Sequence, residues 1–233
     1  MAPGRAPTPR RTWREPMKII TDNIGMIASG LLTTLTIALL AYAGALVVGT
    51  LIAVFRVSPV PPLRALGAAW VTVTCNIPLL CLMILLAFAA PRTGVPIPLF
   101  WAAVLAIVLS GSGFVCETVR SGVNSVPKGQ IEAARALGMP FSLIIGAVVL
   151  PQALRRTIQP LVNIFISCLI GSSLAAAIGV PELTNVTQQL NLRYAEAVIT
   201  FLVAGLTYLV IAFGATKLAG LLERRLDAPG ARP

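Results

Sequence analysis

Residues 125–140 read SVPKGQIEAARALGMP, and they break a chain that is strongly apolar on both sides. Ser125 with Pro127 is a helix-start signal, and Gly138 with Pro140 is a stop signal. About three turns of helix fit between them, whereas crossing ~30 Å of hydrocarbon takes about twenty apolar residues. The segment is therefore expected to lie roughly parallel to a membrane surface. Ala133, Ala134 and Ala136 are small enough to let a partner's backbone come close, and Ile131 and Leu137 can fill a hydrophobic groove. The same residues also suit a helix resting on lipid headgroups. Spacing alone leaves both readings open.

Outward from this break, the apolar stretches are long. The chain has 233 residues, 57% of them apolar and only 11% charged. Soluble domains are about a quarter charged and break their apolar runs into shorter amphipathic pieces. The first block covers 24–55 and ends at a turn of Ser58-Pro59-Val60-Pro61-Pro62. A second span, about 64–90, contains Asn76-Ile77-Pro78, where proline must kink or interrupt a helix. A third, about 98–120, carries the small-residue patch Ser110-Gly111-Ser112-Gly113, which lets helices approach closely. The block at 141–179 contains Pro151, Arg155, Arg156 and Pro160. It reads as a short helix to about 150, a bend, and a span at about 158–178. Residues 180–194 read as a polar loop, and a fifth span covers about 195–221. The expected fold is an all-α integral membrane protein with five transmembrane helices over residues 19–226. A disordered basic tail is expected over 1–18 and a short polar tail over 227–233.

The net charge of +10 comes from loops, a tail and the last helix rather than one groove-sized face, so nucleic acid is not an expected partner. Lys and Arg at span ends set topology instead. Placing the 120–138 loop and the C-terminus inside puts Arg56, Arg64, Arg120, Lys128, Arg135, Arg155, Arg156, Lys217, Arg224 and Arg225 inside, with Arg92 and Arg193 outside. Five spans then put the N-terminus outside, although its tail is basic. A reporter at residue 2 facing the cytoplasm would remove this arrangement. Cys75, Cys81, Cys116 and Cys168 form no C-x-x-C pair, and histidine is absent from the chain, which leaves zinc and haem sites unsupported. No paired carboxylates share a span and no G-x-S-x-G occurs, so an enzyme is not expected.

The break resembles the signature loop of bacterial ABC-importer permeases: E-A-A, three residues, G, nine residues, I, one residue, L-P. The matching residues are Glu132, Ala133, Ala134, Gly138, Val148, Leu150 and Pro151, with Val148 in place of the usual isoleucine. Pro127-Lys128-Gly129-Gln130, Pro151-Gln152-Ala153-Leu154-Arg155, Glu117-Thr118-Val119-Arg120-Ser121-Gly122 and Gly179-Val180-Pro181-Glu182-Leu183-Thr184 resemble its polar amino-acid branch, the histidine, glutamine and glutamate type. The likeness covers about residues 24–226. It implies a type I ABC-importer permease fold with a cytoplasmic coupling helix. Gly129, Gln130, Glu132, Ala133, Ala134, Leu137 and Gly138 would then dock into a separate ATPase subunit, with Glu132 as the loop carboxylate and Gly138 as a hinge-like end. The implied partners are an ATPase dimer, a second permease subunit, an extracytoplasmic amino-acid-binding protein and the lipid of a bacterial cytoplasmic membrane. This chain lacks G-x-x-x-x-G-K-[ST], so ATP and Mg are expected in the partner and no cofactor is expected here.

Asn76 and Pro78 are substrate-pathway candidates, because a broken helix offers backbone groups at mid-membrane depth. Ser172 and Ser173 are a second pair, with helix packing as the competing reading. Relatives commonly have Arg-Gly-Thr-Pro where this chain has Cys75-Asn76-Ile77-Pro78, and a lysine where it has Ile170. Glu117 is an ionisable residue within a span, but Arg120 lies three residues on, which favours a structural ion pair. Glu182 reads as an isolated acid that shapes an external loop or touches the binding protein. The Arg56-Val57-Ser58-Pro59-Val60 and Ser121-Gly122-Val123-Asn124 stretches look most like glutamate-type permeases. A self-contained ion-coupled carrier and a non-transporting membrane assembly protein are the alternatives. The carrier class usually shows internal repeats and embedded coupling acids, and Glu117 is the one plausible acid.

Overall fold

In lipid, a backbone polar group finds no water, so a long apolar run folds as a helix that satisfies its own groups. The computed structural model describes residues 14–226, with side chains for 17–224. A helix, α1 (Arg14–Asp22), begins inside the stretch expected as a tail. The rest of that tail, and the whole of the one expected over 227–233, lie outside the described residues.

The first apolar block is one continuous helix, α2 (Ile24–Val57). The proline turn comes next, and α3 (Pro61–Asn76) starts on proline, where the missing N–H would have no partner anyway. Pro78 then ends the helix. The next piece, α4 (Leu79–Ile84), leaves at 98° and runs on through a π turn and a 3-10 turn to Thr93. Gly67 of α3 lies against the Arg56 side chain at the far end of α2, whereas α5 (Leu99–Asn124) begins beside Gly179 at the other end. The broken pair therefore passes from one end of the bundle to the other. With the four helices that are individually long and apolar enough to cross a membrane, it makes the expected five.

After the short helix α6 (Lys128–Ala136), the chain departs from expectation. The interruption expected after residue 150 is not there: the helix is continuous. The turn α7 (Phe141–Leu143) passes through π-helical Ile144–Val149 into α8 (Leu150–Ser172), which continues unbroken through Pro160. Pro151 sits in the first turn of α8, where it costs little, and the π turn carries the irregularity instead. The stretch expected as a polar loop is also corrected. It contains α9 (Leu183–Tyr194), whose Leu183, Val186 and Leu190 are buried against Ile27. The interspersed polar residues hide that stripe from a hydropathy reading. The last helix, α10 (Ala197–Leu226), closes the order.

The core is built on α2 against α5, and small residues bring the two together. Gly111 faces Ala45, and a Cβ on Gly49 would stand 2.6 Å from the Ser112 carbonyl oxygen. The Ser110–Gly113 patch thus does pack backbones closely. Trp70 of α3 donates to Ser112 Oγ at 3.0 Å on its other side. Because the obstacle at Gly49 is backbone, a larger residue there cannot be accommodated by a rotamer change. Gly49→Val is expected to destabilise the protein by about 2–3 kcal/mol. Thermal melting of the detergent-solubilised chain measures it, and an unchanged midpoint would contradict the packing.

Two contacts fix the ends of the bundle. Asn23 Nδ2 donates to Tyr194 Oη at 3.4 Å, joining the start of α2 to the end of α9. Gln159 Nε2 donates to Glu223 at 3.1 Å, joining α8 to the end of α10. The same second end holds α6, since Gln152 Nε2 donates to Gln130 Oε1 at 2.7 Å. The two termini of the described chain therefore lie at opposite ends, with α6 beside the C-terminal one.

Candidate functional site

Helix α6 is closed more firmly at its C-terminal end than at its start. Ser125 spends its hydroxyl on the Gly122 carbonyl at 2.6 Å, so Pro127 rather than Ser125 stands at the helix start. Gly138, at φ +74°, turns the chain left-handed. Its N–H donates to the Arg135 carbonyl while Met139 N–H donates to that of Ala134, a paired closure that needs glycine at the turn. Ala134 is buried with Val126, Ile144 and Val149, and Ile131 and Met139 pack beside them. Ile131 and Ala134 were expected to face a partner; both instead anchor the helix to its own chain. The opposite face is open. Gly129, Gln130, Glu132, Ala133, Leu137 and Gly138 are exposed, and Leu137 at 81% and Phe141 at 70% present bare apolar surface. Phe141 escaped the sequence reading because it lies beyond the stop signal.

Above α6, Glu117 is shared. Arg120 donates to it from Nε at 3.1 Å, as the spacing suggested, and Arg56 of α2 donates from Nη2 at 3.1 Å. The second partner is 61 residues away in sequence and had no local signal. One carboxylate thus holds two guanidiniums and ties α2 to α5. These side chains are 23–36% exposed, which weakens the pairing. Glu117→Gln is expected to cost about 1–2 kcal/mol by leaving two cations facing each other. A charge-conserving Glu117→Asp should recover part of the loss in the same melting assay.

Two cavities lie along the groove between α5 and α8. The narrower, about 210 Å³, is lined by Leu79, Ser110, Phe114, Asn163, Ser167 and Cys168 among others. It opens beside the break at Pro78. The wider, about 550 Å³, lies toward α6 and is lined by Glu117, Arg120, Ser121, Ser125 and Arg156. Phe114 and Ile164 line both. On α8 the exposed residues Arg156, Pro160, Asn163, Ser167 and Ile170 recur every three or four positions, one helical stripe facing the groove.

Of the pathway residues expected from sequence, Asn76 and Pro78 are exposed at the break, and Asn76 Nδ2 donates to the Thr72 carbonyl. Ser172 is fully buried and donates to the Leu169 carbonyl; Ser173 donates to that of Ile170. The break and this pair do meet: a Cβ on Gly171 would stand 2.9 Å from Leu79. The polar groups that reach the cavity, however, are Ser110, Asn163 and Ser167. The three- and four-residue spacing of Arg156, Pro160, Asn163 and Ser167 was the signal available for them.

At the end away from α6, Glu182 is fully buried and is not isolated. It caps α9, accepting from Thr184 N at 2.9 Å and Asn185 N at 2.7 Å. Tyr208 Oη donates to it at 3.0 Å and Thr34 Oγ1 at 3.2 Å. Thr34 in turn accepts from Leu183 N at 3.1 Å. Burial pushes the Glu182 carboxyl above its ordinary range, and the four donors pull it back. The expectation that Glu182 shapes its loop holds in the form of a three-helix clasp.

Comparison with known proteins places this geometry. Residues 45–228 match the family described as "Binding-protein-dependent transport system inner membrane component". "Probable glutamine ABC transporter permease protein GlnM" of Bacillus subtilis (strain 168) is 34% identical over 91% of this chain and 98% of its own length. "L-cystine transport system permease protein TcyB" of the same organism is 32% identical over 87% of each chain. A solved structure described as "Crystal structure of an amino acid ABC transporter with histidines" superposes with a TM-score of 0.84 at 30% identity, over 88% of this chain and 96% of its own. A chain of the MetNI methionine ABC transporter shares the fold at 22% identity, with a TM-score of 0.72, over 88% and 98%.

Proposed function

The chain belongs to the family of binding-protein-dependent transport system inner membrane components, as a multi-pass amino-acid permease subunit of an ABC importer, and on that premise we propose how it is driven and what it carries. The exposed face of α6 docks on a separate ATPase subunit, which binds ATP and Mg and closes against it. Carrying this reading is one observation: α6 is welded to the bundle by Ala134 and Ile131 on one face while Leu137 and Glu132 stand clear on the other. A push on the clear face is therefore transmitted to α5 and α8 rather than absorbed by a flexible loop.

The end bearing α6 and the end of α10 is cytoplasmic, and the end bearing α1, α9 and Glu182 is external, where a binding protein delivers its cargo. Arg56, Arg120, Lys128, Arg135 and Arg156 cluster toward the α6 end, which supports this polarity. A second permease subunit covers the open α5–α8 groove. The cargo is a polar amino acid, glutamate or a close relative such as glutamine. It passes the broken helix at Asn76 and Pro78 and the cavity of Ser110, Asn163 and Ser167. Glu117 is held by two arginines and Glu182 by four donors, so both acids are engaged in structure rather than free to couple an ion.

Co-purification of the chain with its neighbours, titration of the external binding protein with amino acids, and uptake into proteoliposomes supplied with ATP test the proposal. Uptake that needs ATP and the binding protein supports it. Uptake that persists without ATP and collapses with an ionophore overturns it.

A further inference from the structure

The wider cavity between α5 and α8 carries charge that the ion pair does not use up. Arg120 and Arg156 line it with the single carboxylate of Glu117, which Arg56 also reaches from α2. Glu117 takes hydrogen bonds from Arg56 and Arg120, and Arg156 Nη1 donates at 2.6 Å to a neutral acceptor, the Ser125 carbonyl. Among the described residues no acid is paired with Arg156. Thr118 and Ser121 add hydroxyls to the same wall, whereas that of Ser125 is taken by the Gly122 carbonyl. A guanidinium without a countercharge on the wall of a cavity is a ready partner for an anion. The cavity is also placed for one: it adjoins the narrower, uncharged cavity above it through Phe114 and Ile164.

We propose that this vestibule is an oxyanion site that receives the α-carboxylate of the amino acid on its way out, with Arg156 as its principal cation. The inference rests on the permease reading above. A guanidinium offers a fork of N–H donors that matches a carboxylate, and the hydroxyls of Thr118 and Ser121 complete the shell. An amino acid that leaves the cavity of Ser110, Asn163 and Ser167 thus finds a carboxylate partner about two turns of α8, roughly 10 Å, nearer the cytoplasm. Bound there, the carboxylate competes with the Ser125 carbonyl for Arg156. Ser125 lies three residues before α6, so occupancy bears on the chain segment that carries the coupling helix. A phospholipid headgroup offers the same oxyanion chemistry, and the test separates the two.

The assembled permease–ATPase complex, without binding protein, is placed in phosphatidylcholine vesicles and given radiolabelled L-glutamine, or L-glutamate where that is the amino acid taken up. The wild type is expected to bind it, Arg156→Gln to bind at least tenfold more weakly, and Arg156→Lys to recover most of the loss. The analogue that lacks the α-carboxylate, 4-aminobutanamide for glutamine or 4-aminobutanoate for glutamate, is expected not to compete. Unchanged binding by Arg156→Gln, or full competition by the analogue, overturns the site while leaving ATP-driven uptake by the wild type intact. Binding that responds to added phosphatidylglycerol alone and never to the amino acid assigns the site to lipid and overturns it as well. Wild-type complex that takes up no amino acid at all fails the permease reading rather than the site.

Discussion

Replacing Glu182 by alanine is expected to loosen the external end of the bundle by about 3–5 kcal/mol, the largest loss of stability expected for a single side chain in this protein. Four donors converge on this one carboxylate: two backbone N–H groups of α9, a threonine of α2 and a tyrosine of α10. Removal leaves the half-buried Thr184 and Asn185 N–H groups without their acceptor, at roughly 1–2 kcal/mol each. The hydroxyls are better placed, because Thr184 Oγ1 and Tyr208 Oη already stand 3.3 Å apart and can pair with each other. Glu182→Gln should fall between wild type and alanine. It keeps one acceptor oxygen but turns an NH2 toward a remaining donor. The melting midpoint of the detergent-solubilised chain is expected to drop by roughly 10 °C for alanine and about half that for glutamine. Amide exchange in α9 should accelerate in the same order. Equal melting of all three proteins would remove the clasp as a structural element.

Why this clasp was missed, when so much else was legible, is a matter of which interactions leave a local trace. Span length and apolar composition are additive along the chain, so α2, α5 and α10 were readable within a few residues. The stop at Gly138 was readable because the left-handed turn selects glycine. Glu117 with Arg120 was readable as neighbours on one helix face. Glu182 reads as a loop acid because glutamate is not among the favoured helix caps, and its Thr34 and Tyr208 partners lie 148 and 26 residues away. Arg56 was hidden from Glu117 for the same reason. The interruption expected near Pro151 failed for another cause. Proline is costly inside a helix and cheap in its first turn, and which of these applies depends on where the helix begins. The serines at 172 and 173 looked like ligands because their hydroxyls are polar in an apolar span; both are spent on their own helix. The groove's polar stripe was present in the spacing of Arg156, Asn163 and Ser167, but only the packing of α8 against α5 reveals which face it occupies.

Leu137→Asp is expected to reduce ATP-driven uptake to less than a tenth of wild type while leaving the chain folded and inserted. The two halves of that expectation come from different faces of one short helix. Leu137 is 81% exposed and belongs to none of the chain's buried clusters, so a carboxylate there has no internal contact to break. On the proposed coupling reading it fills an apolar pocket of the ATPase subunit, and burying an unpaired charge in such a pocket costs several kcal/mol, enough to separate the subunits. Glu132→Ala removes the exposed carboxylate of the same face and should also depress uptake, with less effect on assembly. Ala134→Leu reverses the pattern. Its side chain is 5% exposed and faces Val126, Ile144 and Val149, so added bulk pushes α6 off its own bundle at about 1–3 kcal/mol and lowers the melting midpoint. Three readouts separate the faces: melting of the solubilised chain, yield of ATPase subunits on co-purification, and uptake in proteoliposomes. If Leu137→Asp and Glu132→Ala both transport at the wild-type rate, α6 does not couple ATP hydrolysis to transport, and its exposed face must serve another surface. The contrast with Ala134→Leu is what makes the result decisive, because it shows that the same assays respond when the other face of the helix is disturbed.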